Sequence, residues 1–293
     1  MTNYTNVSAR AMLVSLSIST WAGRKFDKRA TEKVNTDSGA DAEAGRYNKH
    51  LLSGAPAHRN VILKAGDARQ AHYDQTLPWA DEGKRLLPTS NYFTYTEVMR
   101  KKRSAFDLAL NNFIDEYPAL REAAPLKLGR LYKESEFPST KDVRRRFSWS
   151  IDFDPVPSGG DLRLDLPADQ ISLIEQSVTS RVEQATKDAM RDAWNRLREA
   201  VARIQRASGK DGVVRGNLID HAREVIDVLG RLNVSGDEAL DEMRSRVERE
   251  LTGIVVEDLR KDDRLRADTE KRATDIMAAM SEFYAPPALS EVA

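Results

Sequence analysis

The chain has 293 residues, 46 Lys+Arg balanced by 46 Asp+Glu, 7% aromatic residues and no cysteine. The missing cysteines exclude a disulfide framework, thiolate zinc sites, iron–sulfur clusters and thiol nucleophiles. A charged fraction of 31% and an apolar fraction of 40% favour long solvated helices over a sandwich or barrel.

No apolar run reaches the ~18–20 residues of a membrane span, and the start lacks the charged-then-apolar pattern of a signal peptide. The expectation is a soluble, intracellular protein with no membrane partner. The neutral total hides an asymmetry. From Ala168 to the end there are 20 basic and 25 acidic residues, a balance of −5, which leaves +5 before that point. Opposite halves of this size can steer two copies head to tail, or arise from ordinary surface variation.

Along the chain, Val14, Leu16 and Ile18 alternate with Ser15, Ser17 and Ser19, the period of two expected of a half-buried strand. Residues 24–36 are polar and read as a short helix or loop. Asp37 or Ser38 has the side-chain oxygen to cap a helix running toward Leu52, which Gly54 and Pro56 would stop. A second helix is expected over 57–73. The stretch 76–88 holds two prolines and a glycine, which forbid a continuous helix, together with Leu77, Trp79, Leu86 and Leu87. It reads as an ordered loop pinned to the core by Trp79.

A strong helix is predicted over 92–117 from Val98, Phe106, Leu110, Phe113 and Ile114, with Pro118 ending it and a further short helix over 120–131. Then the period changes. Phe147 to Asp154 alternates large apolar with small polar residues, Leu162, Leu164 and Leu166 do the same, and a turn-rich segment lies between. That is a hairpin pattern. Two strands alone are marginal in water, and Leu13–Ser19 is the natural third.

After Pro167 the pattern is helical. Apolar residues from Ile171 to Ile204 recur at steps of three or four, implying one helix of about 40 residues, near 60 Å long at ~1.5 Å per residue. Helices are expected over 217–232 and over 239–283, the latter interrupted near Gly253, with Ser235 and Glu238 at capping-box spacing. No fixed-period repeat is present. The fold class is therefore α+β and predominantly α-helical, with a small antiparallel sheet of about three strands covered by helices. Residues 1–167 read as the mixed part and 168–293 as a long-helix region.

Chemistry-bearing motifs are scarce. The four histidines, His50, His58, His72 and His221, stand in no H-x-x-x-H or H-E-x-x-H arrangement. His72, near Asp67 and Asp74, reads best as a surface or capping histidine. Asp152 and Asp154 share the polar face of one strand, a pair that can bind a cation but usually means a solvated face. No nucleophile elbow and no phosphate-binding glycine loop occurs, so no catalytic residue, metal ligand or cofactor is assigned.

Two basic clusters stand out: Arg100, Lys101, Lys102 and Arg103 within a helix, and Arg144, Arg145 and Arg146 directly before Phe147 and Trp149. Cations beside aromatics are what a single-stranded nucleic-acid groove uses, by phosphate attraction and base stacking. Tyr92, Phe93 and Tyr95 precede the first cluster. Against this, solvated helix ends explain most arginine runs, and aromatics alternating with serines belong to a core.

Three segments carry a resemblance: Leu16–Lys25, residues 76–88 with their Leu-Pro-Trp and Leu-Leu-Pro, and Phe147 through Pro155-Val156-Pro157 into Asp161-Leu162-Arg163. Over about residues 10–200 the chain resembles a group of uncharacterised proteins encoded by tailed bacteriophages and related mobile elements. The resemblance implies expression in the cytoplasm of an infected bacterium and transfers no site residue. The leading functional expectation is a non-enzymatic protein acting through a protein partner or as a homo-oligomer. The amphipathic 40-residue helix motivates it, because its apolar stripe needs cover. The alternative is a nucleic-acid-binding protein using the two basic clusters.

Overall fold

The computed structural model describes residues 7–80, 83–158 and 166–283. Ten helices and six strands are assigned among them, in an α+β fold that is mostly helical. The N-terminal elements are α1 (Val7–Arg10), β1 (Ala11–Ser19), β2 (Arg24–Phe26), α2 (Lys28–Asp37), β3 (Asn48–His50) and α3 (Pro56–Asp74). The expected helix over 37–52 does not form. Within 24–36, read as a short helix or loop, the helix forms: Asp27 caps α2, its carboxylate accepting the Ala30 N–H at 3.1 Å, and Asp37 and Ser38 lie at its end. Gly39, at φ +62°, adopts the left-handed conformation that closes helices, and the chain then returns to pair β3 with β2.

The stretch 76–88, expected to be a loop, contributes β4 (Leu77–Pro78) and β5 (Arg85–Pro88). Its anchoring was legible: Trp79 is buried, and Leu77, Leu86 and Leu87 are fully so. Both prolines end their strands, where no ladder donor is lost from the interior. β5 pairs antiparallel with β4 and with β1, in the register Ala11 opposite Pro88 through Val14 opposite Arg85. β6 (Ser148–Pro155) completes a four-stranded sheet in the order β4-β5-β1-β6. So 11–19 and 148–155 share one sheet, as expected, and lie side by side in it. The expected return strand lies outside the described residues over 162–165, as do residues 159–161 of its turn.

α4 (Tyr92–Leu128) is one helix of 37 residues with Pro118 and Pro125 inside it. Pro118 does not end it. An internal proline costs ~3 kcal/mol through one lost hydrogen bond and a clash, and burial offsets that here. Ile114, Tyr117 and Ala124 flank the proline in a core, and the Tyr117 hydroxyl donates to the Pro138 carbonyl at 2.9 Å. α5 (Thr140–Arg144) is a short turn capped by Ser139.

The C-terminal half holds α6 (Ala168–Ser208), α7 (Leu218–Leu232), α8 (Glu238–Leu251), α9 (Val256–Lys261) and α10 (Asp263–Phe283). α6 runs for 41 residues, and the last helical region is broken around Gly253, both as expected. The N-cap of α8 is Asp237 and not Ser235. The Asp237 carboxylate accepts the N–H groups of Ala239 and Leu240, while the buried Ser235 hydroxyl has no hydrogen-bond partner among the described residues.

The chain divides into two compact units. The first comprises Met1–Ser15, Tyr73–Tyr95 and Asp152–Ala293; the second comprises Leu16–His72 and Thr96–Ile151. The boundary expected after residue 167 falls inside the first unit. Each unit has its own apolar core. In the first, Leu13, Leu77 and Leu86 join Leu197, Ile204, Leu229, Val247 and Ile276. In the second, Trp21 and Val61 join Phe106, Phe113, Tyr117 and Phe147. Among the described residues no helix is long and apolar enough to cross a membrane.

Candidate functional site

Charge divides with the units. The second unit carries 22 basic and 14 acidic residues, a balance of +8, and the first carries 24 basic and 32 acidic, a balance of −8. All seven basic residues singled out in the sequence belong to the second unit.

The structure brings the two clusters together along one face of α4. Arg103 forms an ion pair with Asp107 at 2.7 Å, donates to the Trp149 carbonyl at 3.1 Å and stands 5.6 Å from the centre of the Trp149 ring. Arg144 donates to the Asn111 side-chain oxygen at 2.9 Å. Residues 103, 107 and 111 follow at steps of four, so the two arginines are held roughly 12 Å apart along the helix at ~1.5 Å per residue. Arg145 lies 3.6 Å from Asp142, and Arg146 covers the Trp21 ring at 5.6 Å.

Part of this charge is already neutralised. Arg100 grips Glu97 with two hydrogen bonds of 2.9 and 2.8 Å, and Lys101 stands 3.4 Å from the same carboxylate. The Arg100 hydrogen bonds, reinforced by Lys101, pull the Glu97 carboxyl down to about 2. Lys102 has no ion pair among the described residues. The aromatic half of the expected groove is not on offer. Phe147 is buried and Trp149 half-buried against the core, while Tyr95 is fully buried. Of the aromatic residues in both clusters, Phe93 alone is widely exposed, at 81%.

A second cationic feature of the same unit escaped the sequence. The β2–β3 ladder sets Arg24 directly opposite His50, and the first turn of α3 adds His58 and Arg59. These four line a cavity of about 480 Å³ with no acidic side chain in its wall. No local motif marks them; only the strand register unites them.

Two other polar clusters are structural. Lys49 is 1% exposed, and its Nζ lies 2.7 Å from Asp27 Oδ2, 2.7 Å from Glu136 Oε2 and 2.7 Å from the Leu131 carbonyl. A cavity of about 530 Å³ in the first unit is lined by Arg223, Arg231 and Arg244, and each is engaged by its own acid, Asp220, Asp227 or Asp241. His72, expected at the surface, is buried on the inner face of α3. Asp154 pairs with Lys84 at 3.2 Å. No group of three metal-ligating side chains occurs among the described residues.

Compared with known proteins, the chain matches no protein-family model, no curated protein and no solved structure.

Proposed function

We propose that this protein binds nucleic acid through its second unit, along the surface where Arg103 and Arg144 meet on α4. The observation that carries the reading is the segregation of +8 and −8 onto separate compact units. A net cationic unit attracts a polyanion and releases its counterions, a favourable term that needs no base-specific contact. With the aromatics buried, binding rests on phosphate contacts, so it discriminates little between sequences.

The test is fluorescence anisotropy with labelled single- and double-stranded oligonucleotides between 50 and 200 mM salt. With three to five phosphates contacted, affinity should fall about 20- to 500-fold over that range, more steeply for the duplex. Reversing Arg144, Arg145 and Arg146 to Glu should weaken binding at low salt. Absence of binding at low salt, or indifference to that reversal, rejects the reading.

A second reading is self-association, favoured by the first half of α6. Ile171, Ile174, Val178 and Val182 are only half-buried and Leu173 is 59% exposed, whereas full burial of the helix begins at Thr186. A stripe of this kind is covered by a second copy or another protein. Light scattering on a size-exclusion column decides it: a strict monomer over a wide concentration range rules out the homo-oligomer. The resemblance to phage-encoded proteins supplies the setting for either reading, the cytoplasm of an infected bacterium.

A further inference from the structure

We propose that the cavity formed by Arg24, His50, His58 and Arg59 is a binding site for a phosphate monoester. The inference stands apart from the nucleic-acid reading, since it concerns a different group of residues in the same unit.

In an antiparallel ladder, directly opposed residues hold their Cβ atoms about 4.5–5.5 Å apart on one face, and Arg24 and His50 are such a pair. Arg59 comes to the same cavity from α3. Among the described residues neither Arg24 nor Arg59 has an acidic partner, and no acidic side chain lines the cavity they share. Unpaired cations gathered without a counter-ion persist where a ligand supplies the negative charge.

The geometry specifies more than an anion. The cavity, about 480 Å³, falls in the range of small-molecule sites and far exceeds a bare ion. One wall is apolar, made by Leu52 and Ile62, so the ligand carries a hydrophobic body as well as charge. His58 is fixed in place: its Nε2 donates to the Trp21 carbonyl at 2.6 Å, and its ring packs on Phe113 with centroids 5.1 Å apart. Burial holds its imidazole below the ordinary value, so it enters the site as a neutral, oriented wall. The mobile charge is left to the two guanidinium groups, whose forked donors match phosphate oxygens. α3 starts at Pro56 after Ala55, which has no side chain able to cap it, so free N–H groups of the first turn add to the positive end. A carboxylate, with one charge and two oxygens, would leave donors unmet. A monoester, with close to two charges and three terminal oxygens, fills them.

The test uses the full chain and isothermal titration calorimetry with phenyl phosphate, with benzoate as the carboxylate of similar shape. Saturable 1:1 binding of phenyl phosphate is expected, preferred over benzoate by about tenfold or more. The double variant Arg24→Gln/Arg59→Gln should lose about tenfold or more; both side chains are exposed, and a circular-dichroism melt checks its fold. His50→Gln, a single conservative change, is the second variant and should weaken binding by a smaller factor. Reversing Arg144, Arg145 and Arg146 should leave it unchanged.

A 12-mer with and without a 5′-phosphate separates the sources of the group. Preference for the phosphorylated strand, lost in the double variant, identifies a nucleic-acid end; equal binding of both strands beside retained phenyl phosphate binding identifies a free small molecule. No saturable phenyl phosphate binding, equal benzoate binding, or wild-type affinity in a folded double variant overturns the inference. Because phenyl phosphate carries no polymer, its result is independent of whether oligonucleotides bind the α4 surface.

Discussion

The indole Nε1–H of Trp194 donates to one oxygen of the Asp237 carboxylate at 3.0 Å, while the other oxygen accepts the N–H groups of Ala239 and Leu240 at 3.0 and 3.2 Å. One side chain thus caps α8 and ties it to the buried middle of α6. Asp237→Ala removes a cap worth about 1 kcal/mol and strands a buried indole donor at about 1–3 kcal/mol. The expected loss is about 2–4 kcal/mol in urea denaturation. Asp237→Asn keeps an oxygen for the cap but sets its amide NH2 against the indole donor, so it should lose about 1–3 kcal/mol. Wild-type stability in Asp237→Asn would show that the indole bond carries no weight, and equal losses in the two variants that the cap carries none.

The Lys49 cluster sets the response to pH. Hydrogen bonds from Lys49 and from the Ala30 N–H hold the Asp27 carboxyl below its ordinary value against the opposing effect of burial. For Lys49 the largest influence is burial, which pushes it down, but the hydrogen bonds to Asp27 and Glu136 together outweigh it and leave it raised. Asp27 therefore adds stability that is present above the unfolded carboxyl value of about 3.9 and lost as pH falls through its lower folded value. Lys49 adds stability present below about 10.4 and lost as pH rises through its higher folded value. A plateau between about pH 5 and 9 with acid loss below about 4 is expected. Lys49→Met strands two buried carboxylates and should cost about 3–5 kcal/mol at pH 7. That deficit should shrink toward pH 4.5, where the stranded carboxyls take up protons. Urea midpoints at the two pH values check it; an unchanged deficit would sink the account.

The turn after α6 makes a third case. Arg266 Nη2 donates to the carbonyls of Gly209 and Gly212 at 2.9 Å each and to Ala207 at 3.4 Å, gathering the free end of the helix. A Cβ at Gly212 would collide with the backbone carbonyls of Arg206 and Ala207, which no rotamer change relieves. Gly212→Ala should cost about 2–4 kcal/mol, with α6 fraying first in hydrogen exchange. At Gly39 an added Cβ meets nothing, so the cost there comes from its positive φ alone.

What the sequence made legible was whatever repeats over several turns. The stripe from Ile171 to Ile204 fixes α6 because ten apolar residues agree on one face. β1 and β6 show through their alternation. Two-residue strands such as Leu77–Pro78 are too short to display any period, and this one forms because β5 offers a neighbouring edge. Pro118 misled for a related reason: the breaking rule is local, and the core around Tyr117 overrides it. Asp27 and Asp37 are both cap-type residues, and only the pairing of β2 with β3 shows which one starts a helix. The site divides in the same way. Consecutive arginines are visible in any reading, but that Arg103 and Arg144 share a face of α4 is a tertiary fact. Arg24, His50, His58 and Arg59 carry no local signal, because their proximity is made by strand register and a helix start.

Glu97 supplies the sharpest test of the nucleic-acid surface. It occupies Arg100 through two hydrogen bonds and draws Lys101 to 3.4 Å, so it holds two cations of the first cluster away from phosphate. All three side chains are well exposed, so the pairs contribute little to stability and Glu97→Gln should leave the melting temperature within about 2 °C. The same change removes one negative charge and frees both cations. Oligonucleotide affinity at 50 mM salt should rise by about three- to tenfold, and the slope of log affinity against log salt should steepen by up to about two units. Combined with reversal of Arg144, Arg145 and Arg146, the gain should persist on a weaker background, because the two clusters contact different phosphates. A Glu97→Gln variant with wild-type affinity and an unchanged salt slope would place the Arg100–Arg103 cluster outside the binding surface.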